Sequence, residues 1–209
     1  MTDHARAERL ALAAEMAKLG PDAPTLCTGW TTRDLAAHIV VRERRPDAAL
    51  GIVLKPVAGH TRSVQQQAAA QDFPALLEQL RRPPVWSPVS NPLLDEALNV
   101  NEMFVHHEDV RRAQPGWSTR TLDPGLQAAL WRRLRRMARL ILRRFPATVV
   151  LDAGEYGAVT GGSGGARVTV SGDPGELSLF LTGRQAYAQV RLDGDEAAAA
   201  RLSKARLGI

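Results

Sequence analysis

The sequence predicts an α+β protein, with an up-down four-helix bundle over residues 1–145 and a small α+β domain over 146–209. Two observations carry this. Up to Pro146, apolar residues recur at helical spacing between proline and glycine breaks; beyond it, β-branched runs with a two-residue period alternate with short helical stretches. A chain of 209 residues, 44% hydrophobic and 23% charged, is an ordinary globular chain able to bury a sizeable core.

The elements follow in order. Residues 3–19 read as a first helix, with Leu10, Ala13, Ala14 and Ala17 as its packing face and Gly20-Pro21 as its stop. A loop carrying Cys27 leads to Trp30. There Thr31 and Asp34 form a capping-box pattern that opens a second helix running to Arg45, before Pro46. Residues 47–62, with Gly51, Pro56 and Gly59, allow at most a short helix. Gln65 to Arg82 is helical, with Pro74 either breaking it or opening a new helix. Pro83, Pro84, Pro88 and Pro92 make a stiff connector.

A central helix spans Asn99 to Ala113, fenced by Pro92 and Pro115. Asp123 caps an arginine-rich helix that ends near Phe145. Trp131, Leu134, Ala138, Ile141 and Phe145 face inward there, and seven arginines between residues 132 and 144 take the solvated side. In the tail, 147–152, 166–171 and 188–192 read as strands, with 161–165 as a flexible glycine-rich loop. Helices are expected after Asp173 and from Asp195 to Leu207.

The central helix carries the chemistry. Glu102 and His106 are four residues apart, so at roughly 100° per residue they stack on one face, beside Leu94, Leu98 and Val105. A carboxylate among apolar neighbours needs a positive partner, and a divalent cation is one. His38, on the second helix with Leu35, Ile39 and Arg42, completes a His₂Glu set. Such a set leaves a position open for water or substrate. His107 points about 100° away and reads as a core or supporting residue. Asp109 and Asp34 are offered as acceptors for the outer N–H of a ligand histidine, with capping or exposure as the alternative. Glu108 is expected on the solvated side, and Cys27 reads as a small buried residue near Trp30, with an additional ligand or a redox handle as the alternatives.

The run from Cys27 to His38, with its Trp-x-x-x-Asp-Leu-x-x-His pattern, resembles the signature of the DinB-like metal-binding bundles. It is particularly similar to the mycothiol-dependent maleylpyruvate isomerase group. In that group the run supplies one ligand and a later Glu-x-x-x-His supplies two, which places them on His38, Glu102 and His106. Residues 171–184 and 190–194 are similar to the group's C-terminal domain. The resemblance implies a divalent metal, zinc first, with nickel, iron or manganese as alternatives. It also implies mycothiol as thiol cofactor, a small-molecule electrophile as substrate, and thiol transfer or thiol-assisted cis–trans isomerisation as reaction. Arg184, in Leu-Thr-Gly-Arg, is the candidate for a substrate carboxylate through its bidentate fork.

Composition bounds the rest. Cys27 is the single cysteine, which excludes an internal disulfide and fits a reducing cytoplasm. The first nine residues are charged rather than apolar as a signal peptide would be, and no apolar run approaches the ~18 residues of a membrane span. A net charge of +5 leaves a nucleic-acid reading of the arginine stripe as an alternative. A metal-binding protein without turnover is the other. A monomer or homodimer is expected.

Overall fold

The computed structural model describes residues 4–48, 58–84 and 92–208, with the side chains of 58 and 92–98 outside the description. The chain is a mixed helix-and-strand protein whose contacts divide it into two compact units, at Asp3–Ser118 and Thr119–Ile209.

The first unit is helical. It holds α1 (His4–Leu19), α2 (Thr32–Arg44), α3 (Ala58–Ala69), α4 (Phe73–Arg81) and α5 (Pro92–Arg111). α1 packs on α5 and α4, and α2 packs on α3 and α4. Their shared core includes Leu12, Met16, Leu35, Ile39, Leu76, Leu80 and Met103.

Local chemistry sets the helix ends. α1 stops where Gly20 takes φ +85° and its N–H reaches the Met16 carbonyl at 3.0 Å. α2 opens on the capping box expected from sequence: Thr31 accepts from the Asp34 amide, and Asp34 accepts from the Thr31 amide at 2.9 Å. Asp72 caps α4 and Pro74 occupies its first turn, so this proline opens a helix. α3 starts at Ala58, earlier than the glycine-bearing sequence suggests. Gly51, Pro56 and Pro88 lie outside the described residues, as do the side chains of Leu94 and Leu98.

The buried face of α1 differs from the expected one. Ala5, Leu12, Ala13 and Met16 are buried together with Glu8 and Arg9, while Leu10 is 43% exposed and Ala14 and Ala17 face solvent. The reason is electrostatic. The Arg9 guanidinium forms a two-pronged pair with Glu43 of α2, both contacts at 2.7 Å, so two ions sit where a hydropathy pattern expects solvent. Glu108, expected outside, is likewise 1% exposed, because Arg112 and Arg111 both bond to it.

The second unit holds α6 (Pro124–Leu142), β1 (Thr148–Asp152), β2 (Ala158–Gly162), β3 (Arg167–Ser171), α7 (Pro174–Leu181), β4 (Arg191–Gly194) and α8 (Glu196–Leu202). The sheet order is β2-β1-β3-β4, with β1 and β3 parallel and both edge pairings antiparallel. β2 runs through part of the stretch read as a loop, and β4 begins at Arg191, later than expected. The last helix ends at Leu202, short of Leu207.

α6 groups with this sheet. Trp131, Leu134, Ala138 and Leu142 share a core with Val149, Val168, Val170 and Phe180. The compact units therefore divide at 118/119, ahead of the 145/146 boundary placed from the onset of strand character. The arginines of α6 lie mostly on its exposed side. No helix among the described residues is long and apolar enough to cross a membrane.

Candidate metal centre

The first unit brings α2, α5 and the loop before α2 together around His106. His38 and Arg42 come from successive turns of α2, and Glu102, His106 and Asp109 from successive turns of α5. A side chain projects onto the same face one turn later, so each helix offers two or three groups to one place.

His38, Glu102 and His106 each present a donor atom, all within 4.8 Å of one another. Glu102 Oε1 lies 3.2 Å from His106 Nε2. Two ligands of one tetrahedral cation at about 2.1 Å are spaced at about 3.4 Å, so this pair is set for shared coordination. The His38 and His106 rings meet edge to face at 5.8 Å, and the Trp30 indole lies against His38 at 5.0 Å.

The other nitrogen of His106 is taken. Its Nδ1 lies 2.9 Å from Asp109 Oδ2, and Asp109 is fully buried. The Cys27 thiol donates to the same oxygen at 3.3 Å. The Asp109 carbonyl accepts from the Leu26 amide at 3.0 Å, which ties the loop to α5. Nδ1–H is committed to a carboxylate, so Nε2, facing Glu102 and His38, is the nitrogen whose proton a cation would replace. Cys27, His106 and Asp109 also lie within ligand range of one another. Their donor atoms are already joined by these hydrogen bonds.

The electrostatics suit a cation. Burial, together with His106 and Arg42, brings His38 down to about 4 against the opposing pull of Glu102 and Gln65, so its imidazole is neutral at pH 7. Burial opposes the charge on Glu102, but the bond from His106 and the nearby charges of His106, Arg42 and His38 hold it below the usual carboxylate range. Burial also opposes a proton on His106. Its bonds to Asp109, Cys27 and Glu102 prevail and raise it well above its ordinary value. A neutral imidazole, a carboxylate and a second imidazole whose proton a metal could displace are hard-to-borderline donors that fit a divalent cation.

The remaining sequence candidates separate cleanly. His107 Nδ1 bonds Glu8 of α1 at 2.8 Å, inside the core and apart from the His38 set. Asp34 caps α2. Arg184 follows α7 in the second unit, where its guanidinium donates to the Thr182 carbonyl. The sequence reading named no role for Arg42. Its Nε lies 3.7 Å from Glu102 Oε1 and its Nη1 donates to Asn99 Oδ1 at 2.8 Å. The four-residue spacing from His38 was the available signal.

No protein-family model matches this chain, and no curated protein matches it in sequence. Among solved structures it is similar to the crystal structure of a mycothiol-dependent maleylpyruvate isomerase. The TM-score is 0.57 and the identity 15%, over 91% of this chain and 90% of that one. A histidine-to-alanine mutant described by the same name matches with the same TM-score and coverage at 14% identity. The chain has the maleylpyruvate isomerase-like fold. At this identity the likeness speaks to fold, so chemistry has to be argued from the residues themselves.

Proposed function

We propose that the first unit is a DinB-like metal-binding bundle, and that the chain is a thiol-dependent isomerase or S-transferase acting on a small electrophile. One observation carries the reading: His38, Glu102 and His106 converge from two helices, with the outer nitrogen of His106 already held by Asp109. The maleylpyruvate isomerase-like fold supports it, since the solved enzyme of that fold is described as mycothiol-dependent.

A divalent cation held by these three residues, zinc first, would favour a bound thiol as its thiolate near neutral pH. The residues divide the remaining work. His38 enters as a neutral donor because burial keeps it so. Glu102 brings the single negative charge of the ligand set, and Arg42 beside it steadies that charge from outside. Asp109 fixes the His106 tautomer and Trp30 packs against the His38 ring, so neither imidazole is free to turn away.

For isomerisation the balance is simple. The thiol loses its proton and its sulfur forms a bond to one carbon of a carbonyl-activated cis double bond. Rotation occurs about the new single bond, and the carbon–sulfur bond then breaks, returning the thiolate and the trans alkene. In transfer, sulfur stays on the electrophile's carbon and a leaving group or a proton completes the balance. Arg184, with its bidentate fork, is the proposed partner of a substrate carboxylate.

The test is elemental analysis of the purified wild type beside His38→Ala, Glu102→Ala and His106→Ala. About one equivalent of metal in the wild type, lost in each folded variant, is expected. It would be followed by mycothiol-dependent turnover of an activated cis alkene. A folded wild type that takes up no metal after reconstitution overturns the reading.

A further inference from the structure

Beside His38, a cleft of about 690 Å³ opens between α2 and α3 under the loop that carries Gly29 and Trp30. Asp34 and His38 form one wall, while Thr61, Arg62, Gln65 and Gln66 form the other. Pockets of about 300–1,000 Å³ hold ligands of drug size, far larger than a bare thiol group with its carbon.

The walls show what kind of body fits. The Asp34 carboxylate is occupied by the cap of α2, and Gln65 is turned to His38 and to the Asp34 carbonyl. Arg62 and Gln66 are exposed, and their side chains have no hydrogen-bond or ion-pair partner among the described residues. A guanidinium offers five donors and no acceptor, and the Gln66 amide adds two more donors and one acceptor oxygen, so donors predominate. The half-buried Trp30 gives a flat apolar face. This is a surface for a molecule rich in carbonyl, carboxylate or hydroxyl oxygens with one ring face to lay on indole.

We infer that this cleft receives the non-reacting body of the thiol co-substrate, an oxygen-rich small molecule held by Arg62, Gln66 and Trp30 beside the ligand set. The inference rests on the metal–thiol reading above. The thiol is favoured over the electrophile because His38 is both a member of the ligand set and a wall of the cleft. The molecule whose sulfur joins the set is therefore the one whose body has its nearest room here.

The experiment uses the full chain loaded with cobalt(II), whose absorption reports thiolate binding without turnover. It is titrated with mycothiol and, separately, with 2-mercaptoethanol. Arg62→Ala should weaken mycothiol about tenfold or more, and Gln66→Ala about fivefold, with 2-mercaptoethanol unchanged. Both sites are exposed, so folding is not at stake. Ala70 also lines the cleft, and Ala70→Trp, which fills it, should abolish mycothiol binding and spare the small thiol. Mycothiol binding unchanged in all three variants overturns the inference and leaves the thiol reading standing. Equal loss of both thiols also overturns it, because the substitutions would then act on the metal set. If neither thiol alters the wild-type spectrum, the thiol reading fails and the inference goes with it.

Discussion

Asp109 decides which nitrogen of His106 is available for chemistry. Its buried carboxylate, 2.9 Å from Nδ1, keeps a proton on that side and directs Nε2 toward Glu102. Outer-sphere partners of this kind are worth about 10–100-fold in metal affinity. Asp109→Asn should cost part of that factor and Asp109→Ala all of it, measured by competition with a chromophoric chelator on variants whose melting confirms a native fold. The same geometry predicts a proton count. In the metal-free protein His106 holds its proton well above its ordinary value, while His38, brought down to about 4, is neutral at pH 7. Metal uptake at pH 7 should therefore release about one proton, read by calorimetry in buffers of different ionisation enthalpy. Affinity should climb with pH until the raised His106 value is passed, then level off. The sign for folding is the opposite. A raised histidine stabilises the metal-free fold below about pH 6.5, the unfolded value, and that contribution is lost as pH rises through the folded value. At this scale the sequence was legible where chemistry repeats at helical spacing, as in Glu102 and His106, with His38 entering as a third group from another helix. It was not legible where ions are buried. Arg9 and Glu108 look solvated until their partners are known, and both partnerships are tertiary or depend on which face a neighbouring helix covers.

The buried Arg9–Glu43 pair belongs to the scale of the element, since it pins α1 to α2. The side chains are 1% and 3% exposed, and Arg9 also reaches the Leu80 carbonyl of α4 at 3.3 Å. Removing one partner leaves the other charged in the core, at a cost of about 3–5 kcal/mol. Glu43→Gln should show that loss in urea denaturation. Arg9→Met combined with Glu43→Leu should recover much of it, because an apolar pair of similar volume has no charge to desolvate. The pair matters to the site because α2 also carries His38 and Arg42. Most element boundaries could be read from sequence because they are set locally: the Thr31–Asp34 box, Asp72 before Pro74, and Asp123 before Pro124 are each a few residues of capping chemistry. β2 could not. Ala158-Val-Thr-Gly-Gly has only two β-branched residues and ends in two glycines, which disfavour strands, so its strand conformation comes from pairing with β1. Gly161 also sits where an added Cβ would lie 3.1 Å from Leu142, so its lack of a side chain serves the approach of α6.

For the whole molecule the question is which helix belongs to which folding unit. Sequence marks the change from helix to strand near residue 146, but secondary structure and packing need not change at the same place. The stripe on α6 is buried against the tail: Trp131, Leu134 and Leu142 lie in one core with β1, β3 and α7. Burying a large apolar side chain is worth about 1.5–3 kcal/mol, so these three alone account for roughly 5–9 kcal/mol. That is comparable to the whole stability of a typical domain. A fragment of residues 119–209 should therefore unfold cooperatively in urea with dispersed amide resonances. A fragment of residues 146–209, stripped of α6, should expose the face of the sheet that α6 covers and show neither property. Equal cooperativity in the two fragments would mean that the sheet, α7 and α8 suffice, and that the division belongs where strand character begins. Cooperative folding of the longer fragment alone would make α6 an integral layer of the second unit. The metal centre would then have to be built entirely from the helices before residue 119, which metal uptake by a fragment of residues 1–118 would test directly.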